Sequence, residues 1–299
     1  MIVHRHGTPT RPARVALIGA HGFIGAALRA QLDAKGVPLL ALTSADIDLR
    51  QAAAVDALAA KVAATDAVVM LAALTPDKGR GTATLMQNLA MMQHLCAALE
   101  KTGCAHLVYV SSDAVYPGNV ARADEDTPVS PQDLYGAMHC TREIMARGLS
   151  KVPLLVLRPS LVYGLDDTHN SYGPNRFRRM AGKDGRITLF GGGEETRDHV
   201  YVDDAAALIV RCLLHASTGV LNVATGVSAS FADVARLVAK QFGGGVEIVT
   251  TPRANPVTHR HYDITRLIKA FPDFRFTALE DGIARVHAAA IRKQPTANA

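Results

Sequence analysis

Tyr135 and His139 stand four residues apart in the segment DLYGAMHCTRE, and this spacing suits the transfer of a proton. Positions four apart share one face of a helix, so the phenol and the imidazole can reach the same bound molecule. A tyrosine hydroxyl, with a pKa of about 10, is a poor base at neutral pH and needs a nearby positive charge. His139 carries that charge fully only below about pH 6.5. We therefore expect Tyr135 to move a proton with only partial help from His139; a histidine with no catalytic role is the alternative.

The segment GAHGFIG places three glycines directly after the apolar run 15–18. Glycines at this spacing permit a tight turn and let backbone N–H groups approach a pyrophosphate at a helix N-terminus. The sequence therefore predicts dinucleotide binding here, and a turn that serves only close helix packing is the alternative. The predicted cofactor contacts in this segment are Gly19, His21, Gly22, Phe23, Ile24 and Gly25.

The second predicted strand ends near Thr43, where dinucleotide-binding folds usually place an acidic residue for the ribose hydroxyls. Neither Thr43 nor Ser44 is acidic, so nothing there would repel a 2′-phosphate, and His21 is the one basic candidate to bind it. Asp48 follows shortly and is a candidate contact for the adenine; with Asp46 it could instead cap the next helix. The sequence leaves NAD and NADP open.

Six short apolar runs alternate with Ala- and Leu-rich segments that have helical spacing. Continuously apolar strands that alternate with helices are typical of a parallel sheet covered on both faces. The sequence thus predicts the α/β class, as a doubly wound parallel sheet with a small C-terminal substrate-binding lobe. The predicted strands lie in RVALI, VPLLALT, TDAVVMLAAL, HLVYVSS, VPLLVLRPS and GVLNVAT.

The alternation of strands and helices breaks after Gly164 and again near Phe242, where polar and glycine-rich segments begin. Two such late excursions could meet as a small lobe over the carboxyl ends of the strands, where parallel sheets bind their ligands. We expect a dinucleotide-binding domain over residues 13–164, with 196–224 returning to it. The lobe is expected in 165–195 and 225–290, and flexible tails in 1–12 and 291–299.

The 299 residues are 48% hydrophobic and 20% charged, which indicates a globular protein with a sizeable core. The formal net charge is +5, but no long basic run with interleaved aromatics exists, which disfavours nucleic acid as a partner. No apolar run approaches about 18 residues, so we expect no membrane span. The four cysteines lack metal-site spacing, so we expect no metal and a reducing, cytoplasmic location.

Several separate motifs, in order, resemble an extended short-chain dehydrogenase/reductase, the family of nucleotide-sugar epimerases, dehydratases and reductases. The resemblance covers roughly residues 14–285 and implies a Rossmann fold that binds NAD or NADP. It also implies cofactor contacts at Leu71, Ala72, Ala73, Asn88, Tyr135 and His139. The motifs are GAHGFIG, LAAL, Asn88, VSSDAVYP, YGAMHCTRE, LRPSLVYG and RDHVYVDD.

The resemblance implies that Tyr135 moves the proton while a hydride passes to or from the nicotinamide, and that Ser112 hydrogen-bonds the same substrate oxygen. A Ser112 that only caps a turn is the alternative, and Ser111 is the less favoured candidate. At the position of His139 the family has a lysine, whose charge favours tyrosinate and whose ammonium holds the nicotinamide ribose. Because a histidine stands there, we expect ribose binding and a partly activating role.

Two arginines resemble the family's contacts to the substrate diphosphate. Arg197, in RDHVYVDD, matches the first, and an ion pair with a neighbouring carboxylate is the alternative. Arg253 matches a second by its spacing, although the Gly-Asp that follows it in related epimerases is missing. A guanidinium suits a phosphate because it donates two parallel hydrogen bonds. The polar excursion adds Asn170 and Asn175 as candidate contacts to a phosphate or sugar.

Asp113 is the remaining candidate substrate contact. In the family's dehydratases an Asp at this position protonates the departing hydroxyl, with a Glu beside it, but here Ala114 follows. The sequence therefore predicts an NAD(P)-dependent epimerase or reductase that acts on a nucleotide-diphosphate sugar, with epimerase favoured. A non-catalytic dinucleotide sensor or scaffold, or a dehydratase, is the alternative, and we expect a homodimer.

Overall fold

The computed structural model describes residues 1–118 and 120–293. Its strands are β1 (Val3–His4), β2 (Val15–Ile18), β3 (Leu39–Leu42), β4 (Ala67–Met70), β5 (His106–Val110), β6 (Arg122–Ala123), β7 (Leu154–Pro159), β8 (Leu161–Tyr163), β9 (Arg186–Phe190), β10 (Thr196–Tyr201), β11 (Ser217–Val223), β12 (Ser228–Ser230), β13 (Glu247–Thr251) and β14 (His261–Tyr262). A 3₁₀ turn, Asp113–Val115, follows β5.

The helices connect these strands and begin mostly after polar or glycine-containing segments. They are α1 (Phe23–Ala34), α2 (Ala54–Ala59), α3 (Thr82–Thr102), α4 (Leu134–Gly148), α5 (Pro174–Asp184), α6 (Val202–Leu214), α7 (Phe231–Lys240), α8 (Thr265–Ala270) and α9 (Leu279–Lys293). Within the described ranges, none of them combines the length and apolar character needed to cross a membrane.

The main sheet has seven strands in the order β1-β11-β7-β5-β4-β2-β3. All neighbours are parallel except β1, which pairs antiparallel with β11. All six predicted strands are present in it, which confirms the α/β, doubly wound Rossmann fold. The chain moves outward from β2 to β3 and then returns to β4 on the other side of β2. This change of direction opens a crevice at the carboxyl ends of β2 and β4, the usual ligand site of such sheets.

Both faces of the main sheet are buried because successive side chains of each strand point to opposite sides. On one side, Val15 and Leu17 pack with α1 and α6, and on the other, Ala16 and Ile18 pack with α2, α3 and α4. This two-sided burial accounts for the continuously apolar strand segments. The sheet is therefore a rigid platform whose carboxyl edge carries the loops described below.

The two polar excursions meet in a separate unit beside the main sheet. β9 pairs parallel with β13, so residues 186–190 lie against 247–251. Helices α5, α7 and α9 contribute Phe177, Phe231 and Ile283 to a second apolar core around this pair. A three-stranded sheet, β12-β10-β8, and the short pair β14-β6 join the excursions to the end of β5.

The chain ends differ from the simple tails that the sequence predicts. Val3 and His4 form the edge strand β1, and Nδ1 of His4 lies 2.8 Å from the Ser217 hydroxyl oxygen. A two-residue strand has no hydrophobic period, so the sequence pattern could not reveal it. At the other end, residues 291–293 complete α9, and the rest of the predicted tail, 294–299, lies outside the described residues.

Candidate functional site

The glycine turn lies at the carboxyl end of β2 and opens α1. Gly19 has φ of +92°, and a Cβ atom there would come 2.9 Å from the backbone nitrogen of Ala72. A Cβ at Gly25 would come 2.1 Å from the Gly19 carbonyl oxygen, so these two positions require glycine for the turn itself. Gly22 is the helix N-cap, is exposed, and makes no side-chain cap, which leaves the first helix amides open toward the crevice.

The loop after β4 forms the second wall of the crevice. Leu71, Ala72 and Ala73 are half-buried there, beside Gly19. Asn88 in α3 holds this loop, because its side chain accepts a hydrogen bond from the Leu74 amide (2.8 Å) and donates one to the Leu74 carbonyl (2.9 Å). Asn88 therefore fixes the backbone of this loop at Leu74.

The loop after β3 satisfies its own polar groups. Asp46 accepts hydrogen bonds from the backbone nitrogen and hydroxyl of Thr43, and Asp48 pairs with Arg50 at 2.8 Å. Neither aspartate caps α2, whose N-cap is Ala53 without a side-chain hydrogen bond. His21 and Asp46 lie close enough for the imidazole charge to lower the pKa of Asp46, after the larger effect of the Thr43 hydrogen bonds.

Tyr135 sits in the first turn of α4, next to the 3₁₀ turn that follows β5. Asp133 caps this helix by accepting a hydrogen bond from the Gly136 amide at 2.8 Å. A Cβ at Gly136 would come 2.2 Å from the Ala114 carbonyl oxygen, so glycine lets the helix start approach the turn. This approach brings Ser112 beside Tyr135, where the Ser112 hydroxyl lowers the pKa of the phenol.

The environment of Tyr135 favours the protonated phenol. Burial, and then the charge of Asp113, raise its pKa to about 12, although the Ser112 hydroxyl and the charge of Arg142 act in the opposite direction. Ser112 also accepts a hydrogen bond from the Ala114 amide, as the turn-capping alternative requires. The hydroxyl of Ser111 is directed away, to Glu143 at 2.7 Å. A cavity of about 140 Å³ adjoins Tyr135 and extends to the loop 74–81.

His139 is buried and its ring contacts the Tyr135 ring edge to face, with centroids 4.7 Å apart. Nδ1 lies 2.7 Å from the Tyr109 hydroxyl oxygen, and Nε2 has no hydrogen-bond partner among the described residues. Burial, and then the charge of Arg142, hold the pKa of His139 well below its usual value. The imidazole is therefore neutral at physiological pH, in contrast to the partial charge expected from the sequence.

Asp113 is engaged by residues from the C-terminal half of the chain. Its carboxylate accepts a hydrogen bond from the Tyr262 hydroxyl at 2.6 Å and lies 3.5 Å from Arg260. Arg260 also donates to the carbonyl oxygens of Asp113 and Pro117, both at 3.1 Å. Any substrate group that reaches Asp113 therefore meets Tyr262 and Arg260 as well.

The two candidate asparagines have different surroundings. Asn175 is buried and ties its loop to β8, accepting from the Gly164 amide at 3.2 Å and donating to Asp167 at 2.8 Å. Asn170 is exposed and accepts a hydrogen bond from Arg179 at 2.9 Å. Asn170 is thus open to solvent, whereas the side chain of Asn175 is already satisfied within the protein.

The two candidate phosphate-binding arginines share one carboxylate, that of Glu195. Arg197 donates to Glu195, to the Thr258 hydroxyl (2.8 Å) and to the Thr258 carbonyl (2.9 Å). Arg253 lies 3.2 Å from Glu195 and 3.1 Å from Glu194. The structure therefore brings Arg197 and Arg253 together on Glu195.

Four residues around Tyr135 were not predicted: Tyr109, Arg142, Arg260 and Tyr262. Arg142 has a sequence signal, because position 142 follows 135 by seven residues and falls on the same helix face. Tyr109 lies in β5, and the strand pattern says only that it is buried. Arg260 and Tyr262 arrive through the pairing of β14 with β6, which no local pattern announces.

Comparisons with known proteins identify the family to which the chain is similar. Residues 15–224 match the model of the NAD dependent epimerase/dehydratase family. The chain is 28% identical, over 69% of its length, to N-acetyl-alpha-D-glucosaminyl-diphospho-ditrans,octacis-undecaprenol 4-epimerase of Escherichia coli O157:H7. It is also 28% identical, over 90% of its length and 93% of the relative, to dTDP-4-dehydro-6-deoxy-D-allose reductase of Streptomyces bikiniensis.

The fold also matches solved structures. UDP-glucose 4-epimerase of Thermus thermophilus, solved in complex with NAD, superposes with a TM-score of 0.82 at 23% identity, covering 94% of this chain and 100% of that one. The matched segment spans 64% of the Escherichia coli epimerase, slightly less than two thirds of that relative's length. Since the family model covers most of the described sheet and the whole of the crevice edge, the chain belongs to the NAD dependent epimerase/dehydratase family.

Proposed function

We propose that this protein is an NAD(P)-dependent enzyme that transfers a hydride at one carbon of a nucleotide-diphosphate sugar. Epimerisation is the favoured activity, and reduction is the next. The observation that carries this proposal is the meeting of Tyr135 and Ser112 at the carboxyl edge of the sheet. Ser112 follows β5, Tyr135 lies in the first turn of α4, and Tyr135 lines the cavity of about 140 Å³. A proton-transfer group at the same edge of the sheet as a turn that suits a dinucleotide fits hydride chemistry at a carbinol.

The residues of the crevice fit a dinucleotide. Gly22 is exposed and carries no side chain at the start of α1, so a pyrophosphate can approach the backbone there. The open amides of α1 can donate to that pyrophosphate. The unpartnered Nε2 of His139 lies on the helix face of Tyr135 and would donate to a hydroxyl of the nicotinamide ribose. When bound, NAD(P) would accept a hydride from the sugar carbon or return it.

The protein's own part in the reaction is the handling of one proton. In the oxidation direction, ionised Tyr135 takes the proton of the sugar hydroxyl as the hydride leaves the same carbon, so a C=O bond replaces the O–H and C–H bonds. In the reverse direction the Tyr135 hydroxyl returns that proton. Ser112 would donate a hydrogen bond to the same oxygen and so stabilise the charge that develops on it. In an epimerase, the keto-sugar rotates between the two steps, so that it is reduced from its other face.

The substrate assignment is supported by Arg197 and Arg253, which converge beside the lobe. Two guanidinium groups that contact the same carboxylate suit a diphosphate, and the names of both sequence relatives contain a diphosphate-linked sugar. The diphosphate would displace Glu195 from both arginines. This exchange makes substrate binding dependent on the movement of one acidic side chain.

A non-catalytic dinucleotide sensor is the second candidate, and one observation favours it. The pKa of Tyr135 is raised to about 12 and His139 is neutral, so in the protein alone the phenol stays protonated. A sensor would bind NAD(P) through the same crevice without any sugar turnover.

The experiment that separates these candidates is an assay of turnover with defined cofactor and sugar nucleotides. The purified protein is stripped of bound nucleotide, whose identity is read by mass spectrometry, and supplied with UDP-, dTDP- and GDP-sugars. An epimerase interconverts sugars with catalytic cofactor, whereas a reductase consumes NAD(P)H stoichiometrically. Cofactor binding with no conversion of any of these sugars would establish the sensor and refute the enzyme.

A further inference from the structure

Arg142 is a completely buried cation that has no carboxylate partner in residues 1–118 and 120–293. Its Nη2 donates to the Ala72 carbonyl at 3.0 Å, its Nη1 lies 3.8 Å from the Met138 sulfur, and its Nε has no partner. Arg158, on the neighbouring strand, is buried too but donates two hydrogen bonds to Glu143, at 2.9 and 2.7 Å. Burying an unpaired charge is costly, so a guanidinium kept in this state calls for an explanation.

The position of Arg142 on α4 connects it to the proton-transfer group. Residues 135, 139 and 142 follow the helical spacing i, i+4, i+7 and share one face. The guanidinium carbon lies 5.4 Å from the centre of the Tyr109 ring, and the Tyr109 hydroxyl contacts His139, whose ring abuts Tyr135. The charge of Arg142 lowers the pKa values of Tyr135, Tyr109 and His139, although burial has the larger effect on each.

The same contacts decide which nitrogen of His139 carries the proton. Burial raises the pKa of Tyr109, so its hydroxyl stays protonated and donates to Nδ1 of His139. A neutral imidazole that accepts at Nδ1 carries its hydrogen on Nε2. His139 therefore presents an uncharged N–H donor on the helix face that it shares with Tyr135. Because the imidazole is neutral, it does not stabilise an ionised phenol by charge.

We propose that Arg142 supplies the positive charge that helps Tyr135 to ionise, while neutral His139 only donates a hydrogen bond. The two tasks that one lysine performs in related enzymes would thus be divided between two side chains one turn apart. Arg142 is then a positioning residue, because it acts on Tyr135 through space and through the Tyr109–His139 contact. This inference rests on the proposed function, but its test does not depend on turnover alone.

The test compares substitutions that remove, keep or relocate the charge. Arg142→Met removes it with little loss of volume, and Arg142→Lys keeps it. His139→Lys/Arg142→Met moves it to the position of the family's lysine. Arg147→Met is the matched control, because it removes one positive charge from the exposed side of the same helix. The other charged or titratable groups that face Tyr135 are Asp113, Asp133 and Tyr109, which every variant retains, and His139, which only the double variant changes.

Two readouts keep this proposal separable from the proposed function. The first is the pH profile of kcat/KM for sugar oxidation, whose rising limb reports the ionisation of Tyr135. The second is the onset of tyrosinate formation by NMR of ¹³C-labelled tyrosine, with the Tyr135 signal identified by its loss in Tyr135→Phe. The NMR readout remains informative even if no sugar nucleotide is turned over.

We expect Arg142→Met to shift both the rising limb of the kcat/KM profile and the onset of tyrosinate formation at Tyr135 upward by about one pH unit. Arg142→Lys should restore both. The double variant should also recover them, and Arg147→Met should leave both unchanged. Identical profiles for Arg142→Met and the wild type would overturn the proposal. So would failure of Arg142→Lys to restore the onset, because shape rather than charge would then matter. A marked loss of stability in Arg142→Met would overturn it too, since an unpaired buried cation kept for its charge should not stabilise the fold.

Discussion

The polar groups at the crevice between the carboxyl ends of β2 and β4 (the crevice side) differ in their pairing from those around Arg197 and Arg253 (the lobe side). On the crevice side, the first amides of α1 and Nε2 of His139 have no partner in the described residues. On the lobe side, Arg197 and Arg253 are bound by glutamates. The crevice is thus ready for a ligand, whereas the lobe must exchange an internal acid for one.

This difference has an energetic consequence. Groups held unpaired by a rigid sheet and its helices lose little freedom when a ligand binds, so their full interaction is available. For groups that are already paired, the gain on ligand binding is only the difference in interaction free energy between the old partner and the new one. Substitutions on the crevice side should therefore cause large effects that depend little on salt. Those on the lobe side should cause smaller effects that salt attenuates.

The largest expected effect is that of Tyr135→Phe. Removing the hydroxyl deletes the proton carrier, and turnover should fall by on the order of 10²- to 10⁴-fold, with cofactor affinity nearly unchanged. Steady-state kinetics on the best sugar nucleotide measures this. Tyr201→Phe, which removes a hydroxyl at the start of α6, is the control and should retain activity. Equal rates for Tyr135→Phe and wild type would show that the proton moves through another group.

Gly22→Val tests whether the open helix start binds the dinucleotide. The side chain would occupy the pyrophosphate space, and loss of charged hydrogen bonds there should weaken NAD(P) binding by roughly 100-fold or more. Calorimetry measures the affinity, and circular dichroism verifies the fold. Gly245→Val is the control, since Gly245 is exposed before β13 and an added Cβ there meets no atom within 4 Å. Unchanged NAD(P) affinity in folded Gly22→Val would place the pyrophosphate elsewhere.

The lobe side is tested by a pair of substitutions with opposite signs. Arg197→Ala should weaken binding of a nucleotide-diphosphate sugar by about 2 kcal/mol, or roughly 30-fold. Glu195→Gln should strengthen it by up to about 5-fold, because a partly exposed competing ion pair is lost. Titrations at low and high salt would show both effects shrinking with salt. If Glu195→Gln weakened binding instead, the glutamate would be a contact of the ligand rather than its competitor.

The smallest expected effect concerns His199, a fully enclosed imidazole beside Phe231 in the lobe. Burial lowers its pKa to about 4, so between about pH 6.5 and 4 the unfolded chain binds a proton that the folded protein does not. Stability should therefore fall with acidification in this window, by about 1 kcal/mol from pH 6.5 to 5.5 for this group. His199→Phe should flatten that part of the denaturation profile. A slope equal to that of the wild type would mean that His199 is protonated in the folded state.

Much of the fold could be predicted because its determinants are local. The six apolar strands and the glycine turn depend on residues within a few positions of one another, and each is present at the expected place. The small strands β6, β8, β12 and β14 were not predicted. Two or three residues carry no period, and such strands form only where a partner from a distant segment is supplied.

The sequence by itself determined the main strands and the glycine turn after β2, because these depend on residues close together in the chain. The approach of Gly136 to Ala114, which brings Tyr135 beside Ser112, joins segments more distant in the chain and belongs to the tertiary structure. Only the tertiary structure decided the protonation states and the ion pairs of the site. Whether His139 is charged depends on burial and on Arg142, and whether Arg197 is free depends on Glu195 and Thr258. Charge and solvation are properties of the space around a side chain, and that space is assembled from segments far apart in the chain.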